Sequence, residues 1–258
     1  MPEGPEYSGN VVREPTQDLS VEEAPVTPTF PHPERIRREV TCLNLLQEGP
    51  GQLPADFDVQ LTNILLQHGK LIVIPTAGEG FSEDVEEAKL VRVTGQRLYD
   101  CLYDGQTCWL DELYRGPWLD MARLFTGNPE LQAFDDLDRA YVLNALFEPG
   151  QFFPTHVDFT AGSIAIGVRN PPESDGGAFY ISAREKVVGI EGLKRRAGYK
   201  IYMDPGVAVI FDGSNKLHGS AGINLGDEPR TTLACSYWDE SDLRKRRPAT
   251  FDERRKTL

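Results

Sequence analysis

The second half of the chain consists of short apolar runs separated by turn residues, and this pattern constrains the fold more than any other feature. Gly, Pro, Asp and Asn stand between the runs. The runs are YVLNALF (141–147), GSIAIGVR (162–169), GAFYIS (177–182), YKIYM (199–203), VAVIF (207–211) and TTLACSYW (231–238). This many short strands within about a hundred residues is typical of a β-sandwich or a barrel. We therefore predict a mainly β core over residues 140–238.

The run GSIAIGVR carries side chains of different size on its two faces. By the two-residue period of a strand, Ile164, Ile166 and Val168 share one face. The opposite face carries Ser163, Ala165 and Gly167. We expect the bulky face to pack outward and the small face to line a cavity that leaves room for ligands.

The first half of the chain is predicted to support this core. Residues 1–34 contain seven prolines and many acids but few large apolar groups, so we predict a disordered leader. Residues 35–139 combine a strand pattern at 69–75 with a helix pattern at 111–125, which indicates a supporting α/β segment. Together with the core, this segment forms one predicted domain over residues 35–240.

The charge of the chain is unevenly distributed. Residues 241–258 carry seven Lys or Arg against three Asp or Glu, whereas the whole chain has a net charge of -13. Nucleic-acid binding depends largely on neutralised phosphates, so the acidic body disfavours it and leaves only the basic tail or a local patch for such a contact. Within that tail, RKRR (244–247) is either a nuclear-import signal or part of a solvated terminal helix.

Neither a membrane segment nor a secretory signal is expected. No apolar run approaches the roughly 18 residues that span a bilayer, and MPEGPEYSGN at the N-terminus lacks the basic and then apolar segments of a signal peptide. We therefore expect a cytoplasmic protein, or a nuclear one if RKRR acts as an import signal. The cysteines form no CxxC pair, which predicts reduced thiols rather than a zinc knuckle.

Three potential metal ligands occur in an order that can form an open metal site. In an extended segment, the spacing of His156 and Asp158 places both side chains on the same side, while Val157 points away. His218 follows the apolar run VAVIF and lies beside glycines that let the backbone approach a metal. Two imidazoles and one carboxylate on one face of an iron ion leave the opposite face free for other ligands.

A potential carboxylate-binding pair follows the last of these residues. Arg230 begins the final predicted strand, and Thr232 shares its face by the two-residue period. A guanidinium with a neighbouring hydroxyl is suited to bind a carboxylate through paired hydrogen bonds.

On these residues the sequence resembles the 2-oxoglutarate- and Fe(II)-dependent dioxygenase superfamily, over roughly residues 140 to 238. His156, Asp158 and His218 match the metal triad of that superfamily, and Arg230 with Thr232 matches its Arg-x-Ser/Thr site for the C5 carboxylate of 2-oxoglutarate. The resemblance implies a double-stranded β-helix (a jelly roll, as in cupins) with flanking helices. It also implies Fe(II) as the metal, with 2-oxoglutarate and O2 as co-substrates.

Further segments resemble parts of particular branches. LNALFEPGQFFPTHVD is similar to the Asn-x-Tyr-x-x-Gly stretch that precedes the first ligand in several branches, which would place Asn144 on 2-oxoglutarate. Gly176 and Gly177 resemble the Gly-Gly turn before a core strand. HGSAGINLGDEPR is similar to the phytanoyl-CoA hydroxylase-like enzymes, whereas HVDFTAGSIAIGV and GGAF are similar to the JBP/TET-type oxygenases. Both branches remain open.

The implied reaction is hydroxylation of an unactivated C–H bond, with conversion of 2-oxoglutarate to succinate and CO2; desaturation and ring closure are the open alternatives. Phe159, Arg169, Phe179 and Tyr180 are predicted to face the substrate, and the long basic loop 184–198 is either a lid or a solvated insertion. A small-molecule or amino-acid-like substrate is favoured. The alternatives are the same chemistry on a nucleobase or a protein side chain, and a non-catalytic cupin-like barrel in which the three metal ligands never meet. The sequence defines neither the substrate nor the oligomeric state.

Overall fold

The computed structural model describes residues 12–13, 40–75, 87–182, 198–222 and 228–240. The predicted basic tail, nearly all of the predicted leader and nearly all of the loop 184–198 lie outside these residues. Among the described residues, no helix is long and apolar enough to cross a bilayer.

Short strands make up most of the second half of the chain, as predicted, and the α-helices bounded below all precede β6. The strands are β1 (Val12–Arg13), β2 (Thr41–Asn44), β3 (Lys70–Pro75), β4 (Glu87–Val93), β5 (Gln132–Ala133), β6 (Tyr141–Leu146), β7 (Phe153–His156), β8 (Gly162–Arg169), β9 (Phe179–Ser182), β10 (Gly198–Ile201), β11 (Val207–Phe211), β12 (His218–Ser220) and β13 (Arg230–Trp238). The helices are α1 (Phe57–His68), α2 (Gly95–Leu102), α3 (Trp109–Arg115), α4 (Pro117–Thr126) and α5 (Leu137–Ala140).

Two antiparallel sheets contain these strands. The smaller sheet has the order β1-β10-β9-β12-β7, and the larger has the order β2-β11-β8-β13-β6-β4-β3, with β5 beside β13. Strands β6 to β13 therefore divide equally, four to each sheet, in the interleaved order of a double-stranded β-helix. The predicted fold class is confirmed.

The helices cover one face of the larger sheet and form the main hydrophobic core with it. Trp118 and Phe57 come from the helices, while Ile164, Ile166 and Leu233 come from the strands. The bulky face of β8 thus packs outward, as predicted. A second apolar cluster lies between the two sheets and includes Ala165, Phe179, Ile181, Val209 and Phe211.

The small face of β8 differs from the prediction at one position. A Cβ atom at Gly167 would collide with the carbonyl oxygens of Met203 and Asp204. The space beside Gly167 is therefore filled by the backbone that connects β10 to β11, and the expectation of a ligand cavity there is wrong. Glycine is needed at this position because two backbone segments approach each other.

The segment 111–125 forms two helices rather than one. Helix α3 ends before Gly116, and α4 begins with Pro117 at its first position. Proline lacks the N–H group that a continuous helix would use, and its fixed φ suits the first turn of a new one. The strands predicted at 69–75 and within 141–238 match β3, β6, β8 to β11 and β13 to within a few residues. The segment of β7 was predicted only as the extended stretch that carries His156 and Asp158, and β1, β2, β4, β5 and β12 were not predicted.

Candidate metal centre

His156 and His218 lie side by side on neighbouring strands. His156 ends β7, His218 begins β12, and their Cα atoms are direct partners in the antiparallel register. Asp158 lies in the turn that follows β7. Ligand atoms of the three side chains all lie within 4.8 Å of one another. Strand pairing thus brings the three predicted ligands together, and the alternative in which they never meet is wrong.

The separations within the cluster fit a single metal ion. The Nε2 atoms of His156 and His218 lie 3.3 and 3.7 Å from Oδ1 of Asp158. Ligand atoms that bind one metal at about 2.0–2.2 Å and at right angles are separated by about 3 Å. The cluster therefore needs only a small contraction to hold an ion.

Both imidazoles present Nε2 to the centre of the cluster. Nδ1 of His156 lies 2.9 Å from the carbonyl oxygen of Pro154, and Nδ1 of His218 lies 2.9 Å from that of Lys216. Because a carbonyl oxygen only accepts, each Nδ1 carries the proton and each Nε2 keeps its lone pair. Burial lowers the pKa of His218 to about 4, although Asp158 opposes the shift. His218 is thus neutral at pH 7, as a metal ligand must be.

Asp158 is fixed at its carboxylate and at its backbone. The hydroxyl of Ser163 donates to Oδ2, and the backbone N–H of Asp158 donates to the carbonyl of Gly213 over 2.8 Å. Burial alone would raise the pKa of Asp158, but the imidazoles of His218 and His156 and the Ser163 hydroxyl together hold it well below its usual range. The cluster therefore directs two lone pairs and one negative charge at a common point, a donor set that suits a divalent cation.

Aromatic rings surround the histidines. The ring of Phe211 lies 4.7 Å from that of His218, and the ring of Phe153 lies 4.8 Å from that of His156. The ring of Phe179 is 5.8 Å from His218. These rings restrict the rotation of both imidazoles and lower the local polarity, so they help to orient the ligands.

Arg230 and Thr232 occupy the inner face of β13. Arg230 is only 5% exposed. Its Nη2 atom and the Oγ1 atom of Thr232 are buried without a hydrogen-bond partner among the described residues. Burial lowers the pKa of Arg230 to about 9, so the guanidinium remains charged at pH 7. A buried charge that lacks an anion is unfavourable, and a ligand carboxylate would satisfy both groups.

Asn144 lies next to this pair on the neighbouring strand β6. Its Cα atom is the register partner of Thr232 on one side and of Arg92 on the other. Nε of Arg92 donates to Oδ1 of Asn144 over 2.7 Å. Arg92, Asn144 and Thr232 thus form a row across the adjacent strands β4, β6 and β13.

The residues predicted to face the substrate lie in different surroundings. Phe179 is near His218, but Tyr180 lies on the opposite face of β9, among Ala178, Tyr202 and Leu217. The alternation of a strand separates these two neighbours, so the structure does not bring Tyr180 to the metal cluster.

Phe159 and Arg169 differ from the buried residues of the cluster. Phe159 is 58% exposed and follows Asp158 directly. The side chain of Arg169 is 35% exposed, with Nη1 at 3.9 Å from Oε1 of Glu228. Arg169 thus has an anionic partner but is only half-buried, so its surroundings do not demand a charged substrate.

Several residues of the site were not predicted. Gly213, Phe211 and Arg92 act through contacts between segments distant in sequence, and no local pattern marks them. A Cβ atom at Gly213 would collide with the carboxylate of Asp158 and the hydroxyl of Ser163. For Ser163, the two-residue period correctly placed the side chain on the inner face but did not indicate the contact with Asp158.

Solved structures share this architecture at low sequence identity. No family model matches the chain, and no curated protein matches it in sequence. AviO1 from Streptomyces viridochromogenes Tue57 superposes with a TM-score of 0.52 and 18% identity, over 81% of this chain and 94% of AviO1. An oxidoreductase of the 2OG-Fe(II) oxygenase family from Burkholderia pseudomallei gives a TM-score of 0.51 and 11% identity, over 81% of this chain and 92% of the oxidoreductase.

A third structure is that of an epimerase. The non-haem alpha-ketoglutarate-dependent epimerase SnoN from nogalamycin biosynthesis gives a TM-score of 0.50 and 16% identity, over 80% of this chain and 82% of SnoN. The fold shared with these proteins is the double-stranded β-helix of 2-oxoglutarate- and Fe(II)-dependent oxygenases. The resemblance recognised in the sequence is therefore confirmed at the level of the fold, and the His-Asp-His cluster lies within it.

Proposed function

We propose that this chain is a 2-oxoglutarate-dependent non-haem Fe(II) dioxygenase that hydroxylates an unactivated C–H bond of a small-molecule or amino-acid-like substrate. 2-Oxoglutarate and O2 would be consumed, and succinate, CO2 and the hydroxylated product would be formed. The observation that carries the proposal is the coexistence of the metal cluster with a buried cation, Arg230, whose Nη2 has no partner among the described residues.

Each group of the site has a defined part in this proposal. Nε2 of His156, Nε2 of His218 and Oδ1 of Asp158 would hold Fe(II) on one face. Arg230 and Thr232 would bind the distal carboxylate of 2-oxoglutarate and so orient its keto acid end toward the metal. When bound, Fe(II) with 2-oxoglutarate supplies the oxidising chemistry. The protein orients the substrate and excludes water, for which Phe159 and Phe179 are the proposed contacts.

Hydroxylation is the proposed outcome rather than a property of the fold. SnoN is described as an epimerase, and a related structure, SnoK, as a carbocyclase, with TM-scores of 0.50 each. Analysis of the product by mass spectrometry distinguishes the outcomes, because hydroxylation adds one oxygen atom, epimerisation leaves the mass unchanged and ring closure removes two hydrogens.

The reaction class can be tested without a known substrate. We expect anaerobic addition of Fe(II) and 2-oxoglutarate to the parent protein to produce a visible charge-transfer band, and we expect Asp158→Ala to lose it. A parent protein without the band would contradict the proposal. Candidate metabolites can then be screened for coupled release of succinate, which reports the substrate.

A further inference from the structure

The carboxylate site extends beyond β13 through Asn144. This residue lies between Thr232 and Arg92 in the register of three adjacent strands. Nη2 of Arg230 and Oγ1 of Thr232, both buried without a hydrogen-bond partner among the described residues, belong to the strand on one side of it. The guanidinium of Arg92 belongs to the strand on the other side.

The contact with Arg92 determines which way the amide of Asn144 faces. A guanidinium has donors only, so the atom that Nε of Arg92 contacts at 2.7 Å must be the amide oxygen. The NH2 group of Asn144 is therefore directed away from Arg92. The strand on that side of Asn144 is β13, which carries Arg230 and Thr232.

We infer that Arg92 is a positioning residue for the co-substrate: it holds Asn144 so that Nδ2 donates to the distal carboxylate bound by Arg230 and Thr232. This inference rests on the proposed function. Without Arg92 the amide is free to turn over, and Oδ1 would then face the carboxylate and repel it. The role of Arg92 is thus exerted through Asn144 and not by contact with 2-oxoglutarate.

Two substitutions of Arg92 separate the hydrogen bond from the charge. In Arg92→Gln the amide nitrogen is attached at the same place along the side chain as Nε of arginine, so a donor to Asn144 remains and the charge is lost. In Arg92→Met a methyl group takes this place, so the donor and the charge are both lost at similar length. A positioning role predicts that Arg92→Met weakens 2-oxoglutarate binding and that Arg92→Gln retains it.

The measurement is the dissociation constant of 2-oxoglutarate, obtained by calorimetric titration of the Mn(II)-loaded protein under anaerobic conditions. We expect Arg92→Met to weaken binding about ten-fold, because one hydrogen bond to a charged group is lost. Arg92→Gln should stay within about three-fold of the parent. Binding of 2-oxobutyrate, which lacks the distal carboxylate, should be the same in all three proteins.

Two further comparisons locate the effect. Lys89→Met removes an exposed cation from the same strand and should leave 2-oxoglutarate affinity unchanged. In an Asn144→Leu background, Arg92→Met should weaken 2-oxoglutarate binding by less than about two-fold further, because Arg92 is proposed to act only through Asn144. The dissociation constant of Mn(II) should be unchanged in every variant, which separates positioning from misfolding.

Different results overturn different claims. If the parent binds 2-oxoglutarate and Arg92→Met binds it equally well, the inference is wrong and the proposed function stands. The inference would also be overturned if Arg92→Met and Asn144→Leu weakened 2-oxoglutarate binding independently of each other. It would equally be overturned if Arg92→Gln bound 2-oxoglutarate as weakly as Arg92→Met. A parent that binds Mn(II) but not 2-oxoglutarate would overturn the proposed function together with the inference. If Arg92→Met does not fold, Arg92→Leu, which also lacks the donor and the charge, replaces it in every comparison.

Discussion

At the scale of single residues, the orientation of the metal ligands depends on groups that do not touch the metal. Carbonyl oxygens fix the tautomers of His156 and His218, and the hydroxyl of Ser163 fixes the carboxylate of Asp158. Such contacts hold the ligands in place before an ion arrives, so less order has to be created on binding. The strength of metal binding should therefore respond to substitutions of these neighbours.

We expect Ser163→Ala to weaken Mn(II) binding by about 10- to 100-fold without unfolding the protein. The substitution removes the donor to Oδ2 of Asp158, so the carboxylate is no longer held toward the imidazoles. Calorimetric titration with Mn(II) measures the effect. Ser214→Ala is a matched control, since this hydroxyl also bonds to an aspartate, Asp212, but in the turn after β11. Equal affinities of Ser163→Ala and the parent would show that Asp158 is held by its backbone alone.

The cysteines should differ in reactivity because burial suppresses the thiolate. Burial raises the pKa of Cys42 to about 12, and it also raises that of Cys235. Since the thiolate is the reactive form, about one Cys42 side chain in ten thousand is ionised at pH 8. Cys101 is exposed and should react first.

Maleimide labelling of the native protein at pH 8 should therefore modify Cys101 rapidly and the other cysteines slowly. The labelling rate of Cys42 should rise about ten-fold per pH unit between pH 7 and 8, because its pKa of about 12 lies far above this range. Peptide mapping by mass spectrometry identifies the labelled residue, and Cys101→Ser should remove the rapid phase. A rapid phase that persists in Cys101→Ser would contradict this prediction.

The sequence predicted the ligand set but not the contacts that hold it. The two-residue spacing of His156 and Asp158 is a local property, so it could be interpreted directly. The contact between Arg92 and Asn144 joins positions 52 residues apart in sequence, and it exists only because β4 pairs with β6. Such contacts depend on the register of the sheet, which no local pattern defines.

At the scale of strands and helices, prediction succeeded where a strand carries its own apolar pattern. Strands β8 and β11 were predicted with their observed bounds. Strands β7 and β12 were missed because FPTH and HGS are short and have no apolar alternation. They are strands because of their partners: β12 lies between β7 and β9, and such pairing can override weak local preference. The two strands that carry the histidines thus have no strand pattern of their own.

Gly167 on strand β8 lies against the backbone that connects β10 to β11, and a substitution there tests how close this contact is. We expect Gly167→Ala to destabilise the protein by about 2 kcal/mol or more, because the new Cβ collides with backbone that cannot easily move. Gly162→Ala in the same strand should cost less, since its Cβ meets the end of the Leu131 side chain. Urea unfolding followed by circular dichroism measures both. Similar losses in the two variants would contradict the assignment of a backbone crossing at Gly167.

At the scale of the whole molecule, the stability of the fold and the binding site have different sources. The main core lies between the helices and the outer face of the larger sheet. The histidines lie on β7 and β12 of the smaller sheet, whereas the proposed carboxylate site lies on β13 of the larger one. A metal ion bound together with 2-oxoglutarate would therefore connect the two sheets, and the protein should be more stable with both than with either.

Thermal unfolding should detect this connection. At ligand concentrations about 100 times the dissociation constant, binding stabilises a protein by about 2.7 kcal/mol, which corresponds to an increase in Tm on the order of 5 to 10 °C for this size. We expect Mn(II) alone to raise the Tm and 2-oxoglutarate to raise it further only when Mn(II) is present. A Tm that responds to 2-oxoglutarate in the absence of metal would contradict the proposed chelation.

Arg230→Met should have opposite effects on the stability of the free protein and on that of the protein with 2-oxoglutarate bound. The free protein holds a buried guanidinium whose Nη2 has no partner among the described residues, so replacement by an apolar side chain should leave its Tm equal or higher. The bound protein loses the cation that pairs with the distal carboxylate, so the extra stabilisation by 2-oxoglutarate should disappear while that by Mn(II) remains. Differential scanning calorimetry of both proteins, with and without each ligand, measures the four shifts. A free variant that unfolds well below the parent would mean that Arg230 stabilises the fold itself. The interpretation of Arg230 as a ligand-binding cation kept at the expense of stability would then be wrong.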